Sequence, residues 1–219
     1  MANRPVYIAL ENFPYVQRVD VEFKFYPGFS AKQKILSIRS LHAAFKNLSP
    51  EKSVLEISSK SEDLIGVKLS AFNLQVKTNK ADKTFSVESA FQSSKVFEYG
   101  GPFKDLLYKS SREAKTDSRL KNSGTLKEFQ FFKRTFPLEP KTYFYNWLYI
   151  HALSLQNELA EKILNYDAFT DIEFNPKKSV NCQAEAAAIF VGLNRAGLLS
   201  AAFESEENFL KIIYQGKLK

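Results

Sequence analysis

The segment Thr84-Phe85-Ser86-Val87-Glu88-Ser89-Ala90-Phe91-Gln92-Ser93-Ser94-Lys95-Val96-Phe97 is the tightest constraint on this 219-residue chain. The Ser86 hydroxyl can accept a backbone amide left unpaired in a first helical turn, and Val87, Ala90 and Phe91 supply an apolar stripe at helical spacing. A helix beginning at Ser86 is therefore expected. On it Glu88, Phe91, Gln92 and Lys95 recur at spacings of three, four and seven and share one face. Glu88 and Lys95 stand about 10 Å apart along such a helix, and a long lysine leaning toward the N-terminus brings its amine back toward the carboxylate. An acid, an aromatic, an amide and a base then face one small substrate; a surface helix with a loose charge pair is the plainer alternative.

The length suits one domain, or one domain with an elaboration, with a substantial core. The chain has no apolar run long enough to span a bilayer and its first residues lack a signal-peptide pattern, so it is expected to be soluble and cytoplasmic, without a membrane partner. One cysteine, Cys182, and two histidines, His42 and His151, leave neither an internal disulfide nor the cluster that zinc usually needs, so no metal site is assigned. His42, beside an apolar stripe, reads as a core or surface histidine, and Cys182 as a packed thiol.

Taken in order, residues 5–10 and 19–25 read as strands, the second with Val19, Val21, Phe23 and Phe25 on one side. Ser30 to Phe45 reads as a helix with Ile35, Ile38, Leu41 and Phe45 at helical spacing. Residues 54–60 and 64–74 read as further strands, followed by a turn at Asn79 to Asp82. After the breaker Tyr99-Gly100-Gly101-Pro102, the section from Lys104 to Lys141 holds ten basic and five acidic residues, +5 of the formal +7. There Phe129, Phe131, Phe132 and Phe136 interleave with Lys127, Lys133 and Arg134, a mixture suited to stacking unpaired bases while neutralising phosphates. The same phenylalanines also read as core with a lysine rim. Thr142 to Leu164 reads as one long helix with Trp147 packed inside it, and residues 170–174 as a strand with Asp171 and Glu173 on one face. Asn181 is placed as the cap of a helix running through Ala188 and Leu193, where a free helix start could also receive a phosphate. Residues 209–213 read as a closing amphipathic element.

Several of these stretches resemble the NADAR (YbiA-like) family. Glu88-x-x-Phe91-Gln92-x-x-Lys95 is similar to that family's central Thr-x-Glu-His-x-Phe-Gln-x-x-Lys helix, and Leu69-Ser70-Ala71-Phe72 to the Leu-Ser-Asn-Phe segment before it. Residues 110–119, with Arg112, Lys115 and Arg119, resemble the basic segment that follows the helix. Residues 170–174 resemble a Leu-Val-Glu strand with Glu173 at the acidic position, and Asn181 matches a Gly-Lys-Asn before the last helix. The family's Asp-x-x-Trp-Gly loop is replaced by residues 175–180; if that loop's aspartate is catalytic in the family, its task here falls to Asp171 or Glu173, or is absent.

The resemblance implies an α+β fold: a single NADAR-like domain with a strand-strand-helix N-terminal elaboration, residues 1–63, packed on a catalytic domain, residues 64–219. It looks like the branch associated with DarT-type DNA ADP-ribosyltransferase toxins, whose members act as antitoxins by removing ADP-ribose from guanine in DNA. The implied catalytic residues are Glu88, Lys95, Asp171 and Glu173. The implied substrate-binding residues are Ser70, Phe72, Phe91, Gln92, Arg112, Lys115, Arg119 and Asn181. The implied partners are ADP-ribosylated DNA, single-stranded where bases are to stack, ADP-ribose as product, and a DarT-type toxin; no cofactor is called for. Glu88 moving protons and Lys95 forming a Schiff base is one scheme, direct attack by water the other. A hydrolase of small N-ribosides and a non-enzymatic toxin-binding protein remain the alternatives.

Overall fold

Alternating burial along the first strand sets the layers of the molecule. In the computed structural model, which describes residues 1–28, 30–77 and 83–215, β1 (Ala2–Ala9) turns Val6 and Ile8 to one face and Tyr7 and Ala9 to the other. Both faces are buried. β1 forms a hairpin with β2 (Val16–Phe23), and the next helix, α1 (Ala31–Leu48), lays Ile38, Leu41 and Phe45 over Val6, Ile8, Val21 and Phe23. Ser30 caps α1 by accepting the Gln33 amide, as the sequence suggests.

β3 (Val54–Glu56) is followed not by the expected strand but by a short helix, α2 (Leu64–Leu69). Asp63 caps it by accepting the Ile65 amide at 2.8 Å, a local bond that a short, mostly apolar run does not reveal by periodicity. Gly66 lies in α2 where a Cβ would meet the Glu56 carbonyl oxygen at 2.0 Å, so glycine lets this helix press on β3. The expected turn at Asn79 to Asp82 lies outside the described residues. On either side of it β4 (Gln75–Lys77) pairs with β5 (Thr84–Ser86).

Helix α3 (Val87–Ser93) starts at the Ser86 cap but is shorter than the spacing predicts. The Ser93 and Ser94 hydroxyls both turn back to the Ala90 carbonyl, and Lys95 opens a strand, β6 (Lys95–Phe97). Then come α4 (Ser111–Thr116), α5 (Arg119–Asn122), β7 (Leu126–Phe131) and β8 (Arg134–Phe136), with β6, β7 and β8 forming an antiparallel meander.

The long helix expected over 142–164 is two pieces, α6 (Tyr143–Ser154) and α7 (Asn157–Lys162). The break falls at Gln156, whose amide reaches across to the Gln75 carbonyl at 2.7 Å. α6 is buried on nearly every side, Trp147 included, and is the hub of the larger core. β9 (Ala168–Thr170) completes a sheet of order β2-β1-β9-β3, antiparallel to β1 and parallel to β3. The alanine-rich α8 (Gln183–Arg195) packs between this sheet and α6, and α9 (Leu199–Glu204) and the amphipathic α10 (Glu206–Tyr214) close the chain. The result is one α+β domain. Among the described residues no helix is long and apolar enough to cross a membrane.

Candidate active site

A cleft of about 710 Å³ opens between α3, the end of α4, the β6–β7 sheet and the segment leading from β9 to α8. Its first wall is the N-terminal turn of α3. Ser86 accepts the Ser89 amide at 3.0 Å, and its hydroxyl also meets those of Ser89 (2.8 Å) and Ser111 (2.7 Å). Ser111 donates to the Phe72 carbonyl and Ser89 to that of Lys109, so one cluster of hydroxyls ties α3, α4 and the Ala71–Phe72 corner together. The Glu88 amide adds a bond to the Ala71 carbonyl. This frame holds the nearly buried Glu88 carboxylate on the cleft.

Two neighbours address that carboxylate. Gln92, one turn on, donates from Nε2 to Glu88 Oε1 at 2.8 Å, and Lys115 of α4 places its Nζ 3.7 Å from the same oxygen while lying 4.9 Å over the Phe72 ring. Lys95 reaches the cleft from β6 rather than along a helical face, with its ammonium 4.9 Å from the centre of the Phe91 ring. Burial pushes the Lys95 pKa below its ordinary value; Glu88 opposes this shift and Lys115 reinforces it.

The opposite wall is the segment after β9. The strand expected over 170–174 stops at Thr170 because its next amides are taken by side chains. Ile172 N–H donates to Glu56 Oε1, and Glu173 and Phe174 N–H both donate to Asp171 Oδ1. Glu56, wholly buried, also accepts the Thr170 hydroxyl at 2.6 Å, so it grips both residues flanking Asp171. The half-buried His42 contacts that hydroxyl through Nε2 at 2.8 Å, and burial holds its pKa down to about 4. Burial, then the nearby Glu56, pushes the Asp171 carboxyl up to about 8. Glu173 is exposed at the rim, where Ser59 donates to it at 3.2 Å.

Gln183, which no sequence pattern singles out, locks the two walls together. Its amide donates to Asp171 Oδ2 and to the Ile57 carbonyl, and its oxygen accepts the Ala71 amide at 2.6 Å. Tyr145 of α6, a phenol raised by burial, and Lys141 and Lys178 also line the cleft and were equally silent in the sequence.

Of the residues the sequence nominates, Ser70, Phe72, Glu88, Phe91, Gln92, Lys95, Lys115, Asp171, Glu173 and Asn181 all lie on this cleft. Ser70 spends its hydroxyl on the Val67 carbonyl. Asn181 is not the helix cap: α8 begins at Gln183, after Cys182 in an extended conformation, and Asn181 Oδ1 is buried without a partner. Arg112 and Arg119 lie outside the lining. Arg119 is held by Asp117 and Asp105 and sits over Phe103, which occupies its guanidinium. Phe129 and Phe136 are core and Phe132 is exposed. Cys182 is buried and its thiol raised, as a packed thiol should be. Among the described residues no group of three or more His, Cys, Asp or Glu side chains is placed to hold a metal ion.

No match to this chain was found among curated proteins. A family model described as DarT1-associated NADAR antitoxin matches residues 2–219, nearly the whole chain. A carboxylate-and-lysine cleft on one α+β domain and this end-to-end match agree: the chain belongs to the DarT1-associated NADAR antitoxins, and its role is that of an antitoxin paired with a DarT1 toxin.

Proposed function

We propose that the protein exercises its antitoxin role as an N-glycosidase that removes ADP-ribose from guanine bases of DNA. The observation that carries this reading is a carboxylate and an amine of lowered pKa, Glu88 and Lys95, on one cleft large enough for a nucleotide. Lys115, Lys141 and Lys178 around the same cleft supply cations for the diphosphate.

The bond to be broken joins the exocyclic nitrogen of guanine to the anomeric carbon of ribose. Glu88 delivers a proton to the ring oxygen; the bond from that oxygen to the anomeric carbon breaks, and the nitrogen lone pair forms an imine. Lys95, neutral for part of the time because it is desolvated, adds to the imine carbon and expels the guanine amine, which takes up a proton. Water then adds to the lysine Schiff base, the lysine leaves, and the open ribose recloses as free ADP-ribose. One water is consumed and the guanine amine is restored. Asp171, its carboxyl raised by burial, hydrogen-bonds the ribose, and Glu173 closes the rim.

Release of ADP-ribose from a single-stranded oligonucleotide carrying ADP-ribosylated guanine tests the reading. Glu88→Gln is expected to lower turnover by roughly 10²- to 10⁴-fold with the fold intact. Borohydride added during turnover is expected to fix the sugar on Lys95; an active enzyme that gives no adduct selects direct attack by water instead. No turnover on this oligonucleotide or on small N-ribosides, with cell protection surviving in Glu88→Gln, would leave a binding antitoxin.

A further inference from the structure

The turn between β7 and β8 is two residues long, Phe132 and Lys133, and Phe132 has a φ of 53°. A tight hairpin takes glycine or asparagine where φ is positive, and a bulky residue there is an outlier. Packing does not account for it, because the Phe132 ring is 57% exposed. One side meets Phe131, centroids 4.6 Å apart, and Phe85 at 6.3 Å; the other faces solvent. Across the buried Phe85 lies a second open ring, Tyr108, 48% exposed, at 6.5 Å from Phe85. Cations flank both rings: the Lys83 ammonium is 4.9 Å from the centre of Tyr108, and the exposed Lys133 follows Phe132.

The ridge and the cleft share strand β7. Phe129 of β7 is a cleft wall, and Phe132 lies three residues further along, about 10 Å at the rise of a strand. Phe85 directly precedes the Ser86 cap of the helix that carries Glu88. Two exposed aromatic rings, one with the Lys83 ammonium over it and the other followed by the exposed Lys133, match the chemistry of an unpaired base and its phosphate.

We propose that Phe132 and Tyr108 form a stacking platform for single-stranded DNA flanking the modified guanine, so that the strand runs from the cleft along β7 to the hairpin tip. The proposal rests on the DNA reading of the cleft and adds where the rest of the strand goes. It assigns the exposed ring at a strained turn to ligand binding.

The experiment compares wild type, Phe132→Gly and Phe132→Trp. Binding of a fluorescein-labelled, unmodified single-stranded deoxyoligonucleotide is read by anisotropy, and turnover is read on both the ADP-ribosylated oligonucleotide and ADP-ribosylated deoxyguanosine. Phe132→Gly suits the positive φ and is expected to keep the thermal midpoint near that of wild type. It should raise Kd for the oligonucleotide on the order of tenfold, leave the nucleoside reaction unchanged, and see affinity restored by Phe132→Trp. If the glycine variant folds poorly, Phe132→Asn, which also tolerates positive φ, takes its place.

An unchanged Kd in the glycine variant overturns the proposal, as does an equal loss on oligonucleotide and nucleoside. So does intact DNA binding with lost capture of the DarT1 toxin, which would make the ridge a protein-docking surface. The two readings fail separately. A wild type that binds DNA through Phe132 but turns over nothing keeps the platform and sinks the reaction; turnover with binding indifferent to Phe132 does the reverse.

Discussion

The wall of the cleft that carries Glu88 and the wall that carries Asp171 hold their carboxylates by opposite means. Glu88 is served largely by its own neighbourhood: a cap two residues before it, an amide one turn after it, and a lysine from the next helix. Asp171 is served from far along the chain, by Glu56 through the residues on either side of it and by Gln183 directly. The first wall pairs its acid with a cation, whereas the second buries its acid beside another acid. A local pattern can be built onto a helix from its own segment. A carboxyl that is to stay protonated needs a dry setting, and only tertiary structure provides one.

Breaking the bridge between the walls is expected to give the largest effect on stability. Gln183→Leu strands the Ala71 amide, the Ile57 carbonyl and Asp171 at once. It should destabilise the fold by about 2–4 kcal/mol in chemical denaturation, with activity falling in step.

The acid-beside-acid wall has a second signature. Asp171, ordinarily near 3.8, is raised to about 8, and Glu56 is raised as well. The folded state therefore keeps protons that the unfolded chain has released between pH 5 and 8. Their contribution to stability is full below the unfolded values and is lost as pH rises through the folded ones, at up to about 1.4 kcal/mol per pH unit for each group. Glu56→Gln can still accept the Ile172 amide and donate to Thr170, but it removes one titrating group and lets Asp171 ionise earlier. Urea midpoints for wild type and variant across this window should diverge, the variant losing less stability as pH rises; parallel curves would mean that Glu56 neither titrates in this window nor raises Asp171.

How far each wall was legible in the sequence follows from the same contrast. Ser86, Glu88 and Gln92 were readable because a cap and an i, i+4 pair are properties of one segment. Lys95 was found by a spacing that does not govern it, since the helix ends two residues earlier and the lysine arrives on a strand. Asp171 was noticed, but as part of a strand that does not exist, because Glu56 and its own carboxylate capture the amides a strand would use. Gln183 carries no local signal at all, and Arg119, nominated from a basic segment, is held by Asp117 two residues before it and by Asp105, which the fold brings in. The Leu64 to Leu69 run is a helix because of Asp63, a capping contact that a short, mostly apolar run does not announce.

Smaller effects sharpen the local wall. Ser86→Ala removes the cap and loosens the contacts to Ser89 and Ser111; a loss of about 1 kcal/mol in thermal or urea unfolding is expected. The smallest effect belongs to Arg119→Gln, outside both walls in an exposed ion cluster. Turnover of the ADP-ribosylated oligonucleotide should change by less than about twofold, and a larger loss would place this arginine on the path of the DNA.

The place of β9 in its sheet bears on when the protein becomes competent. Three residues, Ala168–Thr170, slot between β1 and β3, strands made more than a hundred positions earlier in synthesis. A nascent chain displays those early strands long before the segment that joins them and presents Asp171 has left the ribosome. High contact order of this kind delays closure of the sheet. The antitoxin thus acquires its second carboxylate only after β9 has emerged, and a ribosome that stalls before that point yields a product with one wall of the site and no other.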